Sequence, residues 1–271
     1  MALSNIALTA GMRANLLSLQ STASLFDTTQ TRLSTGKKIN TALDDPIAYF
    51  AAKGYMDRAN DLSSLKDNMN EAIQGVKAAD AGITAIGDLI AQAKSLANSA
   101  LASASTTERA ALAAQYNAIE TQVTNLAKDA SYKGTNLLQN QNMIANFNES
   151  GTSSLTITGF SADAAGLGLT AAAGNWATDA NINTDVVLLN TASTTLRTQS
   201  KSLSSNLAIV NTRLQFTSNM VNTLTKGADN LTLADMNEEG ANLLMLQTRQ
   251  ALSTTALKLS SEAAQSVLRL F

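Results

Sequence analysis

The 271-residue chain contains neither cysteine nor histidine. The first absence removes disulfide staples, thiolate metal sites and cysteine nucleophiles, and the second removes the commonest general base and the commonest metal ligand. Most familiar catalytic constellations are thereby excluded, no cofactor or metal site is indicated, and no glycine-rich phosphate loop is present. An enzyme built here would have only a serine/lysine or paired-carboxylate site to work with, so none is expected. Proline occurs once and aromatics make up 4% of residues, which suits long helices in close lateral contact better than a compact globule with an aromatic core.

Charge is scarce as well. Lys, Arg, Asp and Glu are 15% of the chain and the net charge is -2, so the basic surplus that phosphate-backbone binding needs is missing and nucleic acid is not an expected partner. No apolar run approaches the roughly 20 residues that cross a bilayer, and Met1 to Gln20 lacks a basic stretch followed by an uninterrupted apolar one. Neither a membrane partner nor a cleavable secretory signal is therefore expected. Hydrophobic residues at 45% are too many for a disordered chain.

What is present is heptad rhythm. Leu62, Leu65, Met69, Ala72, Val76, Ala79, Ile83, Ile86, Ile90, Ala93 and Ala97 succeed one another at alternating spacings of three and four, all apolar, which predicts a helical seam. Asp44, Asp45 and Pro46 mark its start, because an Asp side chain accepts the free amide hydrogens of a first turn and proline is tolerated at the first helical position. The spacing predicts a helix over about residues 46 to 103, on the order of 85 Å long, against a radius of gyration of about 18 Å for a compact globule of this size. An elongated rod is expected. Leu189, Ser193, Leu196, Ser200, Leu203, Leu207, Val210, Leu214, Thr217, Val221 and Leu224 keep the same spacing and form its mate. Leu112, Tyr116, Ile119, Val123 and Leu126 supply a shorter third stripe after the break at Ser105 to Glu108. Together they predict a mainly α, antiparallel coiled-coil or helical-bundle rod.

Both chain ends carry further stripes. Met12, Leu16, Leu19, Ala23, Phe26, Gln30 and Leu33 lead to Gly36, a left-handed helix stop; Met245, Arg249, Leu252, Ala256, Leu259, Ala263, Ser266 and Leu270 run to Phe271. Two helices alone leave much of such stripes uncovered, so they are expected to bury them against other molecules and to be largely disordered without them. Between the long helices, Met143 to Asn148 and Leu155 to Thr158 predict a β-hairpin turning near Gly151. Ser161 to Thr184, rich in Gly, Ala, Asn and Asp around Trp176, is expected to be a small exposed insertion. The expected organisation is a terminal coiled-coil domain (1–35 with 235–271), linkers (36–45 and 226–234), a helical rod with a hairpin (46–160 with 184–225) and a short surface insertion (161–183).

The run Leu33-Ser34-Thr35-Gly36-Lys37-Lys38-Ile39-Asn40-Thr41-Ala42-Leu43-Asp44-Asp45-Pro46 closely resembles the N-terminal signature of bacterial flagellins, as does Ala10 to Leu19. Tyr132 to Leu138 resembles the flagellin turn before its hairpin, and Gln247 to Phe271 the C-terminal segment. The resemblance covers about residues 1 to 160 and 184 to 271. It implies a structural subunit that polymerises with itself into the extracellular flagellar filament used for swimming, with the paired terminal segments lining the filament core. It also implies secretion by a flagellar type III export apparatus, an export chaperone on the C-terminal helix, a filament cap protein and hook-filament junction proteins as partners. Where many flagellins carry receptor-contacting arginines and a glutamate, this chain has Gln92, Lys94 and Ser95, which implies weak innate-receptor recognition. The competing readings are a hook-filament junction protein and a non-polymerising coiled-coil adaptor. Residues singled out for polymerisation are Met12, Leu16, Leu19, Ala23, Phe26, Leu33, Leu252, Ala256, Leu259, Ala263, Leu270 and Phe271. Asp44, Asp45, Asp57 and Arg58 are read as caps and solvated charge rather than as an ion site.

Overall fold

A computed structural model describes residues 10 to 268, with side chains through Ser266. Among these residues the elements are α1 (Ala10–Thr35), α2 (Pro46–Ala102), α3 (Thr106–Asp129), β1 (Met143–Asn146), β2 (Ser154–Ile157), α4 (Asp179–Thr232) and α5 (Met236–Leu268), with a 3₁₀ turn at Ala173–Trp176. The chain divides into two compact units, one of residues up to Asp57 together with those from Thr223 onward, the other of Arg58–Asn222.

The second unit is organised by the α2 seam. Met69, Val76, Ile83, Ile86, Ile90 and Ala97 are buried, and they meet Leu189, Leu196, Leu203 and Val210 of α4 and Tyr116 and Val123 of α3 in one core. Leu62 is also buried, while Leu65, Leu207, Leu214 and Val221 are half-buried. Polar ties set the antiparallel register of α2 and α4: Ser200 donates to Asp80 at 2.8 Å and Lys94 to Asn190 at 2.7 Å. Ser105 opens α3 as its N-cap, accepting from the Glu108 amide at 3.3 Å, while Ser103 donates to the Glu108 carboxylate at 2.6 Å. At the other end of α3, Asn136 donates to the carbonyls of Ala127 and Lys128 at 2.8 and 2.9 Å, satisfying the last turn.

Beyond that cap the hairpin pairs antiparallel, Met143 opposite Ile157 and Ala145 opposite Leu155, with Gly151 at φ 69° in its loop. Arg213 of α4 stacks on Phe147, 5.1 Å from the ring centre. The chain leading into the hairpin lies against bare α2 backbone: a Cβ on Gly82 would stand 2.8 Å from Ala130 Cβ, which has no side-chain freedom to yield, and 2.6 Å from Leu138 Cδ1, so glycine suits this approach.

The expectation of an exposed insertion is overturned. Ala162, Ala164, Leu167, Leu169 and Ala172 are buried, and Trp176 is 0% exposed. Its ring packs on Tyr116 with centroids 5.1 Å apart, and its indole N–H donates to Asp185 of α4 at 2.6 Å. The segment's apolar residues are small and widely spaced, so they pack against the helices without producing a periodic signal. Trp176 alone among them is large, and it adds to Tyr116 the aromatic bulk that the other seam positions lack.

Candidate polymerisation interface

In the first unit α1 and α5 pack on one another. The chain enters and leaves the pair through a short two-stranded clasp. Gly36, at φ 70°, ends α1 by donating to Arg32 O at 2.8 Å; Lys38 N donates to Thr232 O at 2.8 Å and Ala234 N to Gly36 O at 3.0 Å. α4 therefore runs on to Thr232, through most of the 226–234 segment expected to be a linker. A short connection then leads into α5, with Asp235 receiving the amide of Asn237 at 2.9 Å. Arg32 of α1 and Glu239 of α5 pair at 3.0 Å.

The two aspartates before α2 separate in role. Asp45 caps the helix, accepting from Ala48 N at 3.0 Å, with Pro46 at the first helical position. Asp44 instead closes the preceding loop by accepting from Asn40 N at 2.9 Å and Thr41 N at 2.8 Å. Those two amides, Thr41 first, hold its carboxyl below the ordinary aspartate range.

Which faces the pair covers is the informative feature. On α1 the buried positions are Met12, Thr22 and Thr29; Leu19, Ala23, Phe26 and Leu33 are half-buried. On α5 Leu246 and Glu239 are buried, and Leu243, Gln250, Ser253, Leu257, Ser260 and Ala264 are half-buried along the same line. The stripe read from sequence lies beside that line rather than on it. Ala256 is half-buried, but Ala263 is exposed, and Leu252 and Leu259 are 67% and 61% exposed. Leu270 and Phe271 lie outside the described residues. Leu16 is also exposed, as are Leu17, Leu25, Leu244 and Met245. The sequence reading missed Leu17 and Leu25, because they fall between its heptad positions; their signal was excess leucine on a helix whose seam was already assigned.

Among the described residues no group of His, Cys, Asp and Glu could hold a metal, and no helix is long and apolar enough to cross a membrane.

Comparison with known proteins accords with this geometry. The model of the bacterial flagellin N-terminal helical region matches residues 6–143. Aligned over the whole length of both chains, the sequence is 31% identical to flagellin FljO of Caulobacter vibrioides. It is 27% identical to a flagellin of Brucella melitensis, over 94% of this chain and 95% of that protein. Among solved structures, that of Bacillus cereus flagellin overlays at a TM-score of 0.49 and 17% identity, covering 55% of this chain and 88% of that one. With a family model spanning half the chain and a relative aligned from end to end, this chain belongs to the bacterial flagellin family.

Proposed function

We propose that this flagellin, a structural subunit of the bacterial flagellar filament, polymerises by burying the leucine face of its α1–α5 pair against neighbouring copies. One observation carries the proposal: the pair's seam mixes Thr22 and Thr29 with Met12 and Leu246, while Leu17, Leu25, Leu244, Leu252 and Leu259 are left outside. Covering one such side chain is worth about 1.5–3 kcal/mol. Several per subunit, repeated by head-to-tail contacts that do not close into a ring, build a filament from a soluble monomer.

On this reading segments 1–35 and 235–271 line the filament core and 46–160 with 184–225 form the layer around it. Residues 161–183, tucked against the helices, leave the filament thin and nearly smooth. Secretion to the cell exterior through a type III apparatus, a chaperone on the C-terminal helix, and contacts with cap and junction proteins extend the same reading. So does weak innate-receptor recognition, since Gln92 and Ser95 are exposed and Lys94 is engaged with Asn190; activation by purified monomer at picomolar dose would overturn that part.

Deleting Met1 to Asn40 is the direct test. The expected outcome is loss of filaments by electron microscopy with the melting transition of the second unit retained; filaments from the truncated chain would end the proposal.

A further inference from the structure

The first unit carries a second uncovered apolar feature, distant in sequence from the leucines of α5 and at the opening of α2. Leu43 is 95% exposed, Ile47 85% and Phe50 61%. They form an apolar knob flanked by the carboxylates of Asp44 and Asp45, and Phe50 is braced edge-on by Tyr49, with ring centroids 5.5 Å apart. Three large side chains this open serve no purpose in the fold that presents them.

The same unit also holds a groove of about 320 Å³, with Ile39, Ala52 and Met56 among its apolar walls and Lys37, Lys53 and Asp229 among its polar lining. Its lining includes two lysines against one carboxylate, so it is net positive, and the knob is flanked by two carboxylates. Polarity and charge are therefore complementary, apolar tip to apolar wall and anionic flank to cationic rim.

Helical geometry determines whether a chain can fill its own groove. At 100° per residue, Ile47 and Phe50 point roughly 140° away from the mean direction of Tyr49, Ala52, Lys53 and Met56. Knob and groove lie on opposite sides of the same helix, so they cannot meet within one copy. Two different patches on opposite sides of a subunit are what a heterologous, non-closing contact requires, each copy receiving one neighbour and entering the next.

We infer that the Leu43–Ile47–Phe50 knob of one copy docks in the Ile39–Ala52–Met56 groove of the next, a junction separate from the α1–α5 leucine face. This rests on the polymerising reading and specifies where a second set of subunit contacts lies.

Two measurements test it, both run beside wild-type chain under conditions where wild type forms filaments; if wild type forms none, it is the polymerising reading that fails. In the first, the triple variant Leu43→Ser, Ile47→Ser, Phe50→Ser is checked for unchanged helical circular dichroism and its critical concentration for assembly is measured. A rise of about tenfold or more is expected from three large side chains no longer buried, and an unchanged critical concentration overturns the inference. The second exploits the absence of native cysteine: Leu43→Cys with Met56→Cys, assembled and treated with a short bismaleimide, is expected to give a ladder of covalent multimers, while each single variant, able to give a dimer at most, stays monomeric. Filaments that stay monomeric on a denaturing gel would overturn the inference and point to some other occupant of the groove. A covalent dimer from either single variant would overturn it too, since one cysteine per chain can link two copies only where like patches meet.

Discussion

The two units of this flagellin solve the same packing problem in opposite ways. In the second unit α2, α3 and α4 put Met69, Ile86, Tyr116 and Leu189 inside, and Trp176 closes the core; polar groups such as Lys94 and Asn190 meet at the edge. In the first unit the α1–α5 pair puts Thr22, Thr29 and Glu239 inside beside Met12 and Leu246, and leaves leucines outside. Both arrangements use heptad-spaced helices. Only the second unit has a full-length third helix and a buried tryptophan to complete its core, the first adding to α1 and α5 only the opening turns of α2 and the last turns of α4, so only the second is expected to be stable by itself; a helix pair with so mixed a seam is marginal in water. The difference teaches that a helix pair in a polymer subunit should be judged by what it leaves uncovered.

The largest effect that could break this contrast is expected at Trp176. Replacing it by alanine should cost about 3–5 kcal/mol, as for other fully buried large aromatics, and should lower the melting transition of the second unit in circular dichroism. A change below about 1 kcal/mol would mean that the segment Ser161 to Thr184 is peripheral after all, and that the unit closes on helices alone.

Next in size comes the opposite experiment, on the exposed face. Leu252→Asp and Leu259→Asp should leave the melting of the free chain within about 0.5 kcal/mol of wild type, as surface changes usually do. Each should nevertheless raise the critical concentration for assembly about tenfold or more, because each removes one apolar side chain from the buried polymer contact. Normal assembly by both variants would show that the leucines face solvent in the filament.

Smaller again is the effect of making the first unit resemble the second. The Thr22 hydroxyl donates to the Ser18 carbonyl of its own helix at 2.8 Å, so it contributes nothing across the seam. Thr22→Val with Thr29→Val places methyl groups there instead, and is expected to stabilise the pair by up to about 1 kcal/mol. Slower backbone hydrogen exchange confined to α1 and α5 of the free chain would register it.

The same contrast explains how much was legible in the sequence. The α2 boundary was readable because Asp45 and Pro46 act locally, through a cap and a fixed φ, and the structure starts the helix at Pro46. The seam of α2 was readable because, from Leu62 to Ala97, its seam positions are apolar without exception; Ile47 and Phe50, on another side, come before it. α5 is different: its leucines are spread around the helix among polar residues, so Leu252 and Leu259 compete with Leu246 and Leu257 for the inner line, and periodicity cannot say which stripe pairs with α1. Trp176 was misread for a third reason. Its neighbours Gly174 and Asn175, at φ 55° and 50°, are turn residues by composition, and turns usually sit outside; here the turn exists to aim the ring inward. The groove beside Ile39 was invisible because its walls come from segments nearly two hundred residues apart in the chain.

The finest comparison concerns charge within the second unit. Asp185 is buried, and that burial pushes its carboxyl above the ordinary aspartate value in spite of the Trp176 indole N–H; Glu120 is pushed up by its own burial and then by Asp185. Asp44, exposed, and Glu71, half-buried, are shifted down by the hydrogen bonds they receive. These groups act on stability with opposite sign. A carboxyl raised in the folded state binds its proton more tightly there than when unfolded, so its contribution is full below the unfolded value and declines as pH rises through the folded one; a lowered carboxyl contributes above the unfolded value and is lost on acidification. Asp185→Asn retains an acceptor for the indole and removes the buried charge, so at neutral pH it should differ from wild type by no more than about 1 kcal/mol. The melting difference, variant minus wild type, is expected to increase as pH is raised from roughly 4 toward neutrality and then level off, leaving a residual slope from Glu120 in both proteins. Because Trp176 is the only tryptophan, its fluorescence reads this transition in the second unit alone. A difference that stays constant or shrinks with rising pH would mean that Asp185 is fully compensated inside the core, making this unit no less tolerant of buried charge than the Arg32–Glu239 pair between α1 and α5.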